Sequence, residues 1–118
     1  MKGRDYGDYL QDILNSISEI EEFTKGMDIE SFKNDRKTVN AVVRSLEVMG
    51  EAAKRIPEGI RKKYPAVPWK RMAGMRDKLI HEYSGVDLDI VWEVIKQELP
   101  PILPMIRAAL DDLEKMTS

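Results

Sequence analysis

The eight residues Arg76-Asp77-Lys78-Leu79-Ile80-His81-Glu82-Tyr83 gather an arginine, the chain's single histidine and a tyrosine hydroxyl. These residue types suit phosphodiester cleavage without a metal. An imidazole, with an ordinary pKa of ~6.5, removes a proton from a ribose 2′-hydroxyl or returns one to the leaving oxygen. A guanidinium holds the phosphate and the charge that develops on it. Asp77 stands four residues before His81, on the same helical face, where it can accept a hydrogen bond from the ring and fix its tautomer. Its carboxylate also repels phosphate, which weighs against it. The spacing alone is common in helices. The plain alternatives are a structural histidine, an Arg76 that snorkels to the helix edge on its apolar stem, and a Tyr83 that is a core or interface aromatic.

The surrounding charge favours an anionic ligand. Net charge is −2, but Lys54 to Lys78 holds nine basic residues against two acidic ones, while residues 1–53 and 79–118 are both acidic. Local fields steer a ligand more than net charge does. Lys62, Lys63, Lys70, Arg71 and Lys78 are therefore candidate phosphate contacts whose affinity should weaken with salt; a solvated basic face is the bland alternative.

The elements that must position these residues read as helices. Leu10, Ile13, Leu14, Ile17, Ile20 and Phe23 keep helical spacing up to Gly26. Residues 28–32 read as a turn or short helical piece. A helix capped by Asp35 carries Val39, Val42, Val43, Leu46, Met49, Ala53 and Ile56 on one side, and Pro57 stops it. Pro57, Gly59, Pro65 and Pro68 punctuate a connector with one helical turn at 60–64. Pro68 opens a third helix from Trp69 to about Ile80. Asp87 caps a fourth, bearing Leu88, Val91, Trp92, Ile95 and Leu99. Pro100-Pro101 breaks the chain and opens a last helix with Leu103, Ile106, Leu110 and Leu113 inward. This pattern predicts a single all-α domain over residues 1–118, an antiparallel bundle of four to five helices.

On the third helix Arg76 follows Trp69, Met72 and Ala73 along the apolar stripe, a costly place for a charge unless it meets an anion or a partner surface. Arg76 and His81 are five residues apart, hence about 140° apart on an unbroken helix. Two geometries bring them together. Either the helix ends near Ile80 and the Ser84-Gly85 turn swings His81 round, or two copies pool their residues across a two-fold axis. Elsewhere, Glu47 and Glu51 lie one helical turn apart, but a Glu51–Arg55 pair explains the second more simply than a metal does. Gly50 and Ala53 suit close helix packing, in the core or at a dimer seam. His81-Glu82 fails as a zinc motif because Gly85 stands where a second histidine belongs. No apolar run reaches the ~18–20 residues that span a bilayer; with no cysteine and no signal-peptide core, the expected compartment is the cytoplasm.

The runs Leu46-Glu47-Val48-Met49-Gly50-Glu51-Ala52-Ala53-Lys54, Pro68-Trp69-Lys70-Arg71-Met72-Ala73-Gly74-Met75-Arg76 and Leu79-Ile80-His81-Glu82-Tyr83, then Gly85-Val86-Asp87 and Ile90-Val91-Trp92, resemble a HepT-type HEPN domain. In that family Arg-x4-6-His is the ribonuclease motif and His-x-Tyr follows it; Arg76, His81 and Tyr83 match. The resemblance implies a helical bundle that dimerises so that two motifs line one cleft. It implies a metal-independent endoribonuclease, needing no cofactor, that acts as the toxin of a toxin–antitoxin pair. The implied partner is a minimal nucleotidyltransferase (MNT) antitoxin that adds AMP to the motif tyrosine, here Tyr83. The polar residue after the motif arginine, here Asp77, assists the site. Two alternatives remain at this stage: a non-catalytic nucleotide- or substrate-binding companion of a nucleotidyltransferase, and a plain oligomeric scaffold.

Overall fold

A computed structural model describes residues 5–81 and 87–117, with side chains outside 76–81 and 117. Every element among them is helical. α1 (Tyr6–Phe23), α3 (Arg36–Lys54) and α5 (Trp69–His81) are long; α2 (Ile29–Asn34) and α4 (Glu58–Lys63) are single short turns in the connections. α6 (Leu88–Glu93) runs through a π-turn, Val94–Glu98, directly into α7 (Leu99–Thr117). The result is a four-helix bundle in which α3 packs on both α1 and α5, and α7 packs on α1. Gly7 near the start of α1 lies against Leu113 near the end of α7, as antiparallel neighbours must.

Local chemistry sets the boundaries. Asp5, Asp28, Asp35 and Asp87 each accept a backbone N–H from the first turn of the helix they precede, filling donors that a helix start leaves unpaired. Asp28 and Ser31 do so reciprocally. Their hydrogen bonds hold the Asp28 and Asp35 carboxyls below their ordinary pKa. After α1, Met27 N–H closes a turn onto the Thr24 carbonyl at 3.0 Å. Gly26 takes the left-handed conformation this turn requires, at φ 78°.

The core follows the expected stripes: Leu10, Ile13, Ile17 and Ile20 of α1 meet Val42, Val43, Leu46 and Met49 of α3, and Trp69 and Met72 of α5 close the far side. Gly50 and Ala53 are buried inside one chain, so they serve core packing. Two expectations are corrected. Phe23 is 40% exposed; Thr24, one residue later, is buried instead, its hydroxyl donating to the Ile20 carbonyl at 2.8 Å. And Pro100-Pro101 does not break the chain. Each proline lacks a donor and would strike the carbonyl four residues back in a regular helix. The wider π-turn immediately before them is where such a defect is absorbed, so the helix continues.

Candidate functional site

α5 starts where the α3–α5 connector has been tied down. Arg61, from α4, donates through Nη2 to the carbonyls of Ala53 and Lys54 at 3.0 and 3.2 Å, and through Nε to that of Ile56 at 3.1 Å. It thereby donates to carbonyls at and just beyond the C-terminus of α3, where a cation is also favoured. Trp69 Nε1 donates to the Tyr64 carbonyl at 3.0 Å, and the Tyr64 hydroxyl donates to Asp112 of α7 at 2.7 Å. Burial first, then the Asp112 carboxylate, pushes the Tyr64 phenol up to about 12. The N-terminus of α5 is thus anchored to α3, α4 and α7 before the helix reaches its motif.

α5 includes both Arg76 and His81 as helical residues. His81 is the last residue of α5, and the Ser84-Gly85 turn that would swing it round lies outside the described residues. Five helical residues set them about 140° apart around one axis. Residue 76 continues the row of Trp69 and Met72, which are 5% and 1% exposed. The side chains of Arg76, Asp77, Lys78 and His81 lie outside the described set, and Tyr83 lies outside the described residues altogether.

Two grooves flank α5. One, of about 690 Å3, is lined by Arg61 and Lys62 of α4 and by Lys70 and Arg71 of α5, with Val67 and Pro68 as part of its floor. The other, of about 540 Å3, is lined by Lys70, Arg71, Gly74 and Met75 of α5 and by Ile90 and Val94 across from them. Lys70 and Arg71 border both. Lys70 is exposed. Arg71 is committed within the fold: Nε meets Glu98 in a short contact and Nη2 donates to its other oxygen at 2.6 Å, a bidentate pair. Each partner stabilises the other's charged form, raising the Arg71 pKa and lowering that of Glu98. Sequence reasoning named Arg71 as a phosphate contact but had no signal for Glu98, 27 residues away. It also passed over Arg61, whose role is visible only once the end of α3 is folded beside it. Glu51 pairs with Arg55 at 3.0 Å, the simpler of the two readings of that carboxylate.

The HepT-like ribonuclease family matches residues 13–109, from within α1 through all of α3 and α5 into α7. The chain belongs to the HepT-like ribonuclease family. A provisionally named RNase of Methanocaldococcus jannaschii is 50% identical over 115 residues, covering 98% of this chain and 99% of its own. A provisionally named ribonuclease HepT of Thermococcus cleftensis is 48% identical over 99 residues, covering 84% of this chain and 90% of its own. A third relative, another provisionally named RNase from Caldanaerobacter subterraneus, is 46% identical over 102 residues, or 86% of this chain and 91% of its own. No solved structure matches.

Proposed function

We propose that this HepT-like protein is a metal-independent endoribonuclease, the toxin of a toxin–antitoxin pair, working in a cleft between two copies. The observation that carries the reading is family membership over most of the chain, joined to an unbroken α5 that holds both motif residues. Positions 76 and 81, five apart, are about 140° apart on a regular helix. A two-fold pairing of α5 helices would give each phosphate a guanidinium and an imidazole. The half-buried Met75, the exposed Gly74 and the 49%-exposed Ile90 offer an apolar seam beside the motif for such a pairing.

In the proposed reaction His81 takes the ribose 2′-proton and the 2′-oxygen attacks phosphorus. The bond to the 5′-oxygen breaks, and that oxygen receives a proton from an imidazolium. The products are a 2′,3′-cyclic phosphate and a 5′-hydroxyl. Arg76 neutralises the phosphate oxygens as charge builds, and Asp77 orients the ring. An MNT-type nucleotidyltransferase silences the enzyme by placing AMP on Tyr83. The added phosphate puts negative charge where the RNA phosphate must sit.

Purified protein, RNA and EDTA, with His81→Ala and Arg76→Ala in parallel, test the chemistry. The expected outcome is cleavage to cyclic-phosphate ends by the unaltered protein and loss of at least about a hundredfold in rate in either variant. Equal cleavage by all three would mean a contaminating nuclease and end the reading. Intact mass after co-expression with the nucleotidyltransferase tests the regulation: AMP adducts should appear and vanish in Tyr83→Phe.

A further inference from the structure

We infer that the basic groove at the α4–α5 junction binds the RNA backbone a few nucleotides from the cleaved bond, as an extended substrate site distinct from the motif. The inference rests on the ribonuclease reading above and adds to it the substrate's path. Three observations carry it.

First, the groove is built and positively charged. Arg61, Lys62, Lys70 and Arg71 line it from two helices, and Glu58 is the acidic residue that joins them. Arg61 is fixed by three backbone carbonyls, so part of this charge is held in place before any ligand arrives. Such preorganisation lowers the cost of binding.

Second, the groove continues toward the motif. Lys70 and Arg71 also line the second groove, which proceeds along α5 to Gly74 and Met75; the next residue is Arg76. At 1.5 Å per helical residue, Lys70 stands about 9 Å from Arg76 and about 16 Å from His81 along the axis. A nucleic-acid strand rises about 3.4 Å per nucleotide when stacked, so that span corresponds to a few nucleotides.

Third, the groove offers charge but no stacking platform. Trp69, its one aromatic residue, is 5% exposed and its indole N–H is spent on Tyr64. Phosphates, not bases, are what it can hold. The bound segment is accordingly recognised through its backbone, without regard to sequence. Glu98 tempers this site by occupying Arg71.

Binding of a fluorescent, 2′-O-methylated oligouridylate, which cannot be cleaved, tests the groove without requiring catalysis. Lys62→Glu combined with Lys70→Glu should weaken binding at least about tenfold and flatten its salt dependence by about one to two in log–log slope. Both positions are exposed, so thermal unfolding should stay near that of the unaltered protein. Glu98→Gln should act in the opposite sense, tightening binding by releasing Arg71. With cleavable RNA, the double reversal should raise KM while kcat holds, and its penalty should shrink on a dinucleotide too short to reach the groove. Unchanged affinity and salt slope in the double variant would overturn the inference. So would loss of nucleotidyltransferase binding with RNA affinity intact, which would assign the groove to a protein. Weakened RNA binding by a protein that cuts nothing would instead sink the ribonuclease reading and leave the groove standing.

Discussion

Tyr64 joins three segments through one side chain: its carbonyl accepts from Trp69, its hydroxyl donates to Asp112, and its ring sits beneath the Lys63 ammonium at 5.9 Å. The neutral phenol is the form the fold favours, with its pKa raised from 10.0 to about 12. The stability it contributes is therefore fully present below pH 10 and is lost as pH rises toward 12. Tyr64→Phe should cost about 1 kcal/mol at neutral pH and flatten the alkaline limb of a stability-against-pH curve measured by denaturant titration. Glu98 works at the opposite end of the scale. Arg71 lowers its pKa below 4.5, so its contribution is present above that value and lost as pH falls through the lowered one. Because the Arg71 side chain is 59% exposed, Glu98→Gln should cost no more than about 1 kcal/mol. Gly74 poses a different residue-scale question. A Cβ there would meet nothing within 4 Å, yet glycine inside a helix costs about 0.5–1 kcal/mol relative to alanine. Gly74→Ala should stabilise the isolated chain by that amount in thermal unfolding. A loss in its place would reveal a neighbour from a second copy.

At the scale of elements, caps and turns divide one nearly continuous helical pattern into pieces. The turn after α1 depends on Gly26 at φ 78°, a conformation that costs an L side chain about 1 kcal/mol. Gly26→Ala should lower stability by about that much, read from the denaturation midpoint, without altering the rest of α1. Most boundaries were legible in sequence: the aspartate caps, the prolines at 57 and 68, and the helical spacing of the core. The α6–π–α7 junction was not. Two adjacent prolines read locally as a break, because the local code registers missing donors and ring clashes. Packing of α6 on α2 and of α7 on α1 holds both halves in line, and the π-turn takes up the misfit. Phe23 was misread for a related reason. It obeys the helical period, but the buried face passes from Ile20 to Thr24, one residue later, where the chain begins to turn.

For the whole molecule, charge and apolar surface separate along α5. Basic residues gather at its start around the connector, whereas Met75, Ile90 and Val94 lie farther along. This division suits a chain that receives a polyanion at one end of the helix and a second copy beside the motif. Ile90→Glu tests the second half. Ile90 is 49% exposed, so the charge should leave the folded chain intact. If the apolar seam pairs two copies, sedimentation should show a monomer and RNA cleavage should fall with it. An unchanged dimer would place the pairing surface elsewhere.

The amino-acid order alone determined the helical class and most of the caps, because each depends on contacts within a few positions. Tertiary structure decided which distant partners meet: Glu98 claims Arg71, and Arg61 closes the end of α3. Periodicity carries no information about which charges meet across 27 residues, nor about whether neighbouring helices will hold a proline pair in line. Those outcomes are fixed by packing, where the free energy of many contacts outweighs any local preference.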